Sequence, residues 1–142
     1  MTKDEGMTKS EVRNAHAENA FLCDDAESIV REQRGANRVY DLEKRAARFG
    51  EAIIDFAKTI PQNAVTIRIT DQLVGAGTSI GANNCEADDA VSKKEFLKSV
   101  GTCRKEACET KHFVRMIVRA VPEVKPCART LWLEAKQLHL IL

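Results

Sequence analysis

The sequence predicts an all-α fold, an antiparallel up-down four-helix bundle with an N-terminal extension, from three features of its 142 residues. The composition favours Ala, Glu, Lys, Arg and Leu, and only three prolines interrupt the chain. Four stretches repeat apolar residues at spacings of three and four, as amphipathic helices do. Short connections join these stretches, which favours antiparallel packing of neighbours. We therefore assign residues 1–39 to the extension and residues 40–142 to the bundle.

The first two helices are delimited by capping and breaking residues. The first is expected to begin near Asp41, whose carboxylate can cap free N–H groups, and to end at Pro61. Its apolar stripe comprises Leu42, Ala46, Phe49, Ile53, Phe56, Ala57 and Ile60. The second helix can begin at Asn63, and its apolar residues are Ile69, Leu73, Ala76, Ile80 and Ala87.

The third and fourth helices follow in the same way. Ser92 and Glu95 have the spacing of a capping box, in which each side chain satisfies an N–H group at the start of the helix. A helix from Ser92 to Val121 would be about 45 Å long. Pro126 suits the first turn of a fourth helix. The residues expected to face inward from that helix are Leu131, Trp132, Ala135, Leu138 and Leu142.

The N-terminal extension differs from the bundle in charge and in pattern. Residues 1–40 contain six Lys and Arg against eight Asp and Glu, and their apolar periodicity is weaker. Two interpretations stay open, a marginal helix that packs on a neighbour and a partly mobile segment.

Overall composition excludes several classes of protein. The formal net charge of +1 excludes a globally polybasic binder, although a locally basic face is compatible with it. No apolar run is long enough to span a membrane, and the polar N-terminus does not resemble a secretory signal. The five cysteines lack CxxC spacing, which predicts reduced thiols and a cytoplasmic protein.

The third helix carries a local excess of positive charge. Between residues 92 and 121, eight basic residues face three acidic ones. Because such side chains contact phosphates without regard to sequence, we predict nucleic-acid contact through Lys94, Lys98, Arg104, Lys105, Lys111, Arg115 and Arg119. The alternative to nucleic-acid contact is a solvent-exposed helix face on which basic and acidic side chains form ion pairs, such as Lys105 with Glu109. Without aromatic residues in this strip, contact with the backbone or with a folded RNA is favoured over single-strand base readout.

Small residues in the second helix form a separate candidate site. Gly75, Gly77 and Gly81 superficially suggest a phosphate loop, but no strand precedes them and the spacing differs from the dinucleotide fingerprint. We favour close approach of two helices or protomers at Gly77 and Gly81. Ser79 and Asn83 can form a polar site, but a buried hydrogen-bonded pair that sets the register between helices or protomers is the favoured interpretation.

Metal-dependent and nucleophilic chemistry have little basis in the sequence. Cys108 and His112 share a helix face, but two further zinc ligands are missing. Glu86, Asp88 and Asp89 are interpreted as acidic residues that complement a helix N-terminus rather than as ligands of a divalent ion. The three histidines match no triad motif. We therefore expect no cofactor, no metal and no enzymatic activity.

Three segments resemble a known family: residues 71–87 (DQLVGAGTSIGANNCEA), 92–97 (SKKEFL) and 105–110 (KEACET). Together they are similar to the four-helix-bundle family that is also called the 23S rRNA intervening-sequence protein family. The resemblance runs from Tyr40 to the C-terminus. It implies an up-down bundle that assembles as a ring-shaped homopentamer without known enzymatic activity. One branch, the accessory variability protein of diversity-generating retroelements, binds a reverse transcriptase and nucleic acid through a basic pentamer surface.

Two positions depart from the family pattern, since Gly75 stands where a basic residue is frequent and Asn84 where Ile is frequent. Two hypotheses for the function follow. In the first, a homopentamer binds RNA or a ribonucleoprotein through the basic residues of the third helix, and RNA or DNA is the candidate partner. In the alternative, the protein is an interaction scaffold, for example an accessory subunit of a reverse transcriptase.

Overall fold

The computed structural model describes residues 41–142 as four helices joined by short connections. The helices are α1 (Leu42–Thr59), α2 (Thr66–Asp88), α3 (Lys93–Ala120) and α4 (Lys125–Ile141), and a 3₁₀ turn (Pro122–Val124) precedes α4. This all-α bundle confirms the predicted fold class. The predicted extension, residues 1–39, lies outside the described residues.

Side-chain caps start α1 and α3 where the sequence predicts them. The carboxylate of Asp41 accepts a hydrogen bond from the N–H of Lys44 at 3.0 Å, and this bond lowers the pKa of Asp41. The Ser92 hydroxyl accepts from the N–H of Glu95 at 3.2 Å, while the Glu95 carboxylate accepts from the N–H of Val91. Both helices therefore begin with acceptors for N–H groups that have no partner within the helix.

The start of α2 lies three residues after Asn63. The side-chain oxygen of Asn63 accepts from the N–H groups of Val65 and Thr66, at 2.9 and 3.0 Å. Thr66 is buried, and its hydroxyl donates to the carbonyl of Pro61 at 2.6 Å. Asn63 thus acts as a cap outside the helix, which is why the regular turns begin at Thr66.

The four helices pack against one another in chain order. Each helix contacts the next one along the chain, and α4 closes the ring against α1, whereas the diagonal pairs do not meet. The facing residues of α1 and α2 are Ala46 with Gly81, Gly50 with Thr78 and Ile53 with Gly77. Because residue numbers rise along α1 as they fall along α2, these two helices run antiparallel.

The core draws side chains from all four helices, and a buried ion pair crosses one seam. The largest fully buried side chains include Phe49, Ile53, Leu73, Ile80, Ile117 and Leu138. Glu134 on α4 is also buried, and the Arg45 guanidinium on α1 donates to both of its carboxylate oxygens, at 2.6 and 3.0 Å. Such a two-bond pair is specific in geometry, and removal of one partner leaves a buried charge.

The cysteines only partly follow the prediction of reduced thiols. Cys85, Cys103 and Cys108 are free, and burial raises the pKa of Cys103 to about 11, so that it stays protonated. Cys127 is disulfide-bonded, and at this position the prediction is wrong. The spacing of cysteines along a sequence does not by itself reveal which of them are paired.

None of the helices in residues 41–142 combines the length and the apolar character that a bilayer span needs.

Substitution of Gly77 by alanine is expected to destabilise the bundle by about 1–3 kcal/mol, as overpacking of a core does. A Cβ atom at this position would lie 2.8 Å from Cγ1 of Ile53, whose side chain is fully buried and has no room to move. Gly75→Ala is expected to stabilise by about 0.5–1 kcal/mol, because nothing lies within 4 Å of its Cβ position and alanine favours the helix. Urea unfolding measures both changes.

Gly101→Ala is the matched control in α3, where the Cβ position is equally open. It should raise the free energy of unfolding as Gly75→Ala does. A Gly77→Ala variant as stable as the unaltered protein would show that close contact between α1 and α2 is not required.

Candidate nucleic-acid interface

The basic residues of α3 lie on the side of the helix that faces away from the core. Its buried residues are Cys103, Ala107, Thr110, Val114 and Ile117. Of the seven predicted nucleic-acid contacts, Lys111 is half-buried, and the exposed ones are Lys94, Lys98, Arg104, Lys105, Arg115 and Arg119. The amphipathic pattern of α3 therefore presents nearly all of this charge to solvent.

Helical geometry divides the seven residues into two groups. We call Arg104, Lys111, Arg115 and Arg119 the basic strip, because spacings of seven, four and four align them along one side of α3. Lys94, Lys98 and Lys105 lie about 90° further around the helix. The ammonium of Lys111 lies 2.7 Å from Nδ1 of His139 on α4. The basic strip thus borders α4.

None of these seven side chains forms an ion pair with an acidic residue within residues 41–142. The ion pairs in this part of the chain join Lys44 with Asp41, Lys58 with Asp55 and Arg45 with Glu134. The alternative of a solvated face predicted an ion pair between Lys105 and Glu109. No such pair is formed within residues 41–142. The positive charge of α3 is therefore not neutralised by direct contacts there.

The neighbouring side of α4 adds basic and aromatic groups. Trp132, Lys136 and His139 follow one another at spacings of four and three and share the side of α4 that faces α3. The Lys136 ammonium lies 5.8 Å from the centre of the Trp132 ring, within the range of a cation–π contact. Exposed Lys125 and Arg129 continue this side toward the start of the helix.

We call the basic strip together with these five α4 residues the α3–α4 face. The acidic residues of the two helices lie elsewhere. Glu134 is buried against Arg45, and Glu106 and Glu109 lie nearer α2, on the other flank of α3. The sequence analysis missed the α4 contribution, although the spacing of Lys125, Arg129 and Lys136 could have indicated it.

The ionisation of His139 depends on its burial and on the cations beside it. Burial, followed by the charges of Lys111 and Arg104, lowers the pKa of His139 below its ordinary value. The imidazole is therefore neutral near pH 7, and its Nδ1 can accept a hydrogen bond from the Lys111 ammonium. Elsewhere on α3, burial and the nearby charge of Glu109 raise the pKa of Glu106.

The predicted packing glycines lie between α1 and α2. Gly77 is buried against Ile53, and the Cβ position of Gly81 lies 3.7 Å from the backbone of Ala46. A Cβ atom at position 77 would clash with the Ile53 side chain, whereas one at position 81 would make an ordinary van der Waals contact with the α1 backbone, so close packing requires glycine only at position 77. Asn84, which stands where the related family often has Ile, is buried on the same helix.

Ser79 and Asn83 interact with the backbone of their own helix. The Ser79 hydroxyl donates to the carbonyl of Gly75 at 2.6 Å, and the Asn83 amide donates to the carbonyl of Ser79 at 2.8 Å. Both residues are half-buried. Within the described residues, neither side chain forms the hydrogen bond to the other, or to another helix, that the register interpretation expects.

Possible metal ligands are scattered in this part of the protein. Within residues 41–142, no group of three or more His, Cys, Asp and Glu side chains comes close enough to hold a metal ion. Cys108 and His112 are exposed on α3, and so are Glu86, Asp88 and Asp89 around the end of α2.

Two groups of exposed apolar side chains flank the basic surface. Leu133 and Leu140 lie on α4 opposite its buried residues, with 48% and 71% of their surface exposed. Val91, Phe96 and Leu97 are exposed where α2 turns into α3. Surfaces of this kind are typical of contacts between proteins.

Comparison with known proteins agrees with the resemblance seen in the sequence. The family described as 23S rRNA-intervening sequence protein matches residues 38–122. A protein of unknown function from the S23 ribosomal protein family of Bacteroides thetaiotaomicron has a similar crystal structure, with a TM-score of 0.63 and 21% sequence identity. The match covers 70% of this chain and 92% of that one, and at this identity it shows the fold alone. No significant match was found among curated proteins.

Acidification is expected to destabilise the protein partly through His139. The pKa of His139 in the folded protein lies below the ordinary value of 6.5, so below pH 6.5 the unfolded chain binds a proton at this residue more readily than the folded chain does. Stability should therefore fall as the pH decreases through 6.5. In His139→Gln, which keeps an acceptor for Lys111 but does not titrate, the loss of thermal stability between about pH 7.5 and about pH 5.5 should be smaller.

His112→Gln provides the control, since His112 is an exposed histidine of α3. It should leave the pH dependence of the unfolding temperature unchanged. An identical pH dependence in His139→Gln and in the unaltered protein would show that the ionisation of His139 does not contribute to the loss of stability.

Proposed function

This chain belongs to the 23S rRNA-intervening sequence protein family, and we propose that it is a non-enzymatic homo-oligomer that binds RNA or a ribonucleoprotein through the α3–α4 face. The observation that carries the proposal is the set of basic side chains on α3 that have no acidic partner within residues 41–142. Unpaired cations on one exposed face attract phosphate groups, and the release of counterions drives their binding.

The positions of the basic residues favour a role in phosphate contact over a role only in keeping the surface solvated. A solvated surface helix usually mixes both signs of charge, which form pairs at spacings of three and four. On the α3–α4 face, two helices instead contribute positive charge side by side, and their acidic residues point elsewhere. Several phosphates can therefore be contacted at once without repulsion from neighbouring carboxylates.

Self-association strengthens this proposal. The family resemblance implies a ring of five chains, and Leu133 and Leu140 provide an exposed apolar stripe from which such an assembly can form. Five copies of the basic strip on one particle would bind a folded RNA far more tightly than one copy, because each further contact becomes intramolecular.

Removal of charge from the basic strip should weaken nucleic-acid binding more than the same removal elsewhere. We expect the triple variant Arg104→Gln, Arg115→Gln and Arg119→Gln to lose about tenfold or more in affinity for a structured RNA at low salt. Its slope of log affinity against log salt should fall by about two to three for each bound chain, near 0.9 per lost phosphate contact. Fluorescence anisotropy across a salt series measures both quantities.

The matched control removes three exposed charges from α1 and α2, through Arg48→Gln, Lys58→Gln and Arg68→Gln. It changes the net charge equally and should retain nearly all of the affinity. Equal losses in the two triple variants would assign binding to overall charge, and absence of any binding at low salt would refute the proposal.

The exposed residues Val91, Phe96 and Leu97 favour a second candidate, a protein-interaction scaffold such as an accessory subunit of a reverse transcriptase. Apolar contacts are not weakened by the screening of charge by salt. A scaffold that binds its partner through these residues should therefore form complexes that persist in high salt. Recovery of a protein partner that Leu97→Ser releases, together with no affinity for RNA, would favour the scaffold.

Polar substitution on the outer side of α4 should disrupt the oligomer. Leu133→Ser with Leu140→Ser removes the apolar stripe without touching the core, so each chain should remain helical. Light scattering coupled to size exclusion is expected to give the mass of five chains for the unaltered protein and of one chain for the double variant. A monomeric unaltered protein, or a double variant that remains pentameric, would contradict this interface.

A further inference from the structure

Trp132 has a ring face over which, within residues 41–142, the Lys136 ammonium lies. The residue is half-buried, and it packs against the hydrophobic core from the outside. The Lys136 ammonium lies 5.8 Å from the ring centre, and Lys136 itself is exposed on the next turn of α4. Because Lys136 is exposed and its ammonium lies over the ring, a ligand that displaces this one side chain could stack on that face of the indole.

The ring lies beside the basic strip. His139 and Trp132 are seven residues apart, or about 10 Å along α4. Because His139 contacts Lys111 and α4 runs back along α3, Trp132 is level with a point about seven residues beyond Lys111. That point falls between Arg115 and Arg119, which are both exposed. A group that stacks on the indole is thus within reach of two guanidinium groups.

Other aromatic residues of the described chain do not offer this combination. Phe49 and Phe56 are buried in the core, and Phe113 is half-buried on the side of α3 opposite the basic strip. Phe96 is exposed near the start of α3, but it shares the helix face of the buried residues rather than that of the basic strip. Within residues 41–142, Trp132 is the aromatic side chain that borders the unpaired positive charge.

We propose that Trp132 is a stacking platform for an unpaired base, so that the α3–α4 face binds RNA segments with single-stranded nucleotides in preference to continuous duplex. The inference rests on the proposed function and adds the class of nucleic acid. Bases in a duplex are stacked on one another and cannot reach the indole, whereas a base in a loop, bulge or single strand can. Arg115 and Arg119 hold its flanking phosphates, and Lys136 moves from the ring to the backbone.

The chain contains a single tryptophan, which makes its fluorescence a direct probe of the proposed platform. The full-length protein is titrated with a single-stranded oligouridylate and with a GC-paired RNA duplex that has the same number of phosphates. Labelled RNA anisotropy reports binding, and tryptophan emission reports stacking. Both RNAs should bind at low salt, but only the single strand should quench the emission strongly.

Variants at position 132 separate stacking from charge. Trp132→Leu keeps an apolar group against the core and should weaken oligouridylate binding about tenfold or more, while duplex binding changes less than twofold. Its salt slope should match that of the unaltered protein, because no phosphate contact is lost. Trp132→Phe should recover most of the affinity, and Phe96→Leu, an aromatic substitution away from the basic strip, should have no effect.

The outcomes distinguish the inference from the function on which it rests. If both RNAs bind but neither quenches the emission, or if Trp132→Leu retains the affinity for the single strand, the stacking platform is refuted and the phosphate-binding function stands. If neither RNA binds, the proposed function fails and the inference fails with it. Circular dichroism checks that each variant folds. If Trp132→Leu unfolds, the presence or absence of quenching in the unaltered protein still tests the stacking platform.

Discussion

The buried ion pair between Arg45 and Glu134 sets the rotation of α4, and the functional surface depends on that rotation. Both oxygens of Glu134 accept hydrogen bonds from the Arg45 guanidinium, so α4 must turn this residue toward α1. Trp132 and Lys136 are each two residues away, or about 200° around the helix, and therefore lie nearly opposite. Loss of Arg45 would leave the buried Glu134 carboxylate without this partner, which costs up to about 3–5 kcal/mol for a buried charge. The pair thus opposes any rotation that would remove the indole from the basic strip.

A second contact holds the other side of α4. His139 accepts from Lys111 only while its ring is neutral, and burial and the surrounding cations keep it so near pH 7. The two contacts differ in kind, since one joins opposite charges across a buried seam and the other uses a neutral acceptor within a positive surface. This choice of a neutral partner leaves the charge of the basic strip intact.

The distribution of charge links this geometry to function. On α1, Lys44, Arg45 and Lys58 form ion pairs with carboxylates, whereas the basic residues of α3 form none within residues 41–142. The net charge of the whole chain, +1, conceals this difference. Phosphate binding depends on the local arrangement, because charges separated by more than a Debye length are largely screened in physiological salt. For the same reason, five strips in a ring would act as neighbouring sites joined by avidity rather than as a single large charge.

The sequence by itself determined the helices, their caps and the basic side of α3. Those features depend on neighbours within a few residues, as with Asp41 and Lys44, Ser92 and Glu95, or the spacing of Arg104, Lys111, Arg115 and Arg119. Only the tertiary structure brought α4 beside that strip, paired Arg45 with Glu134 and joined Lys111 to His139. Trp132 was expected to face inward, and the absence of aromatic residues from the basic strip favoured contact with the backbone or with a folded RNA over single-strand base readout. The half-buried Trp132 ring on the side of α4 that faces α3 is the observation on which the proposed stacking platform rests. The physical reason is that periodicity within a helix defines its faces, but the choice of which face meets which neighbour is made by packing and buried charge between residues far apart in the chain.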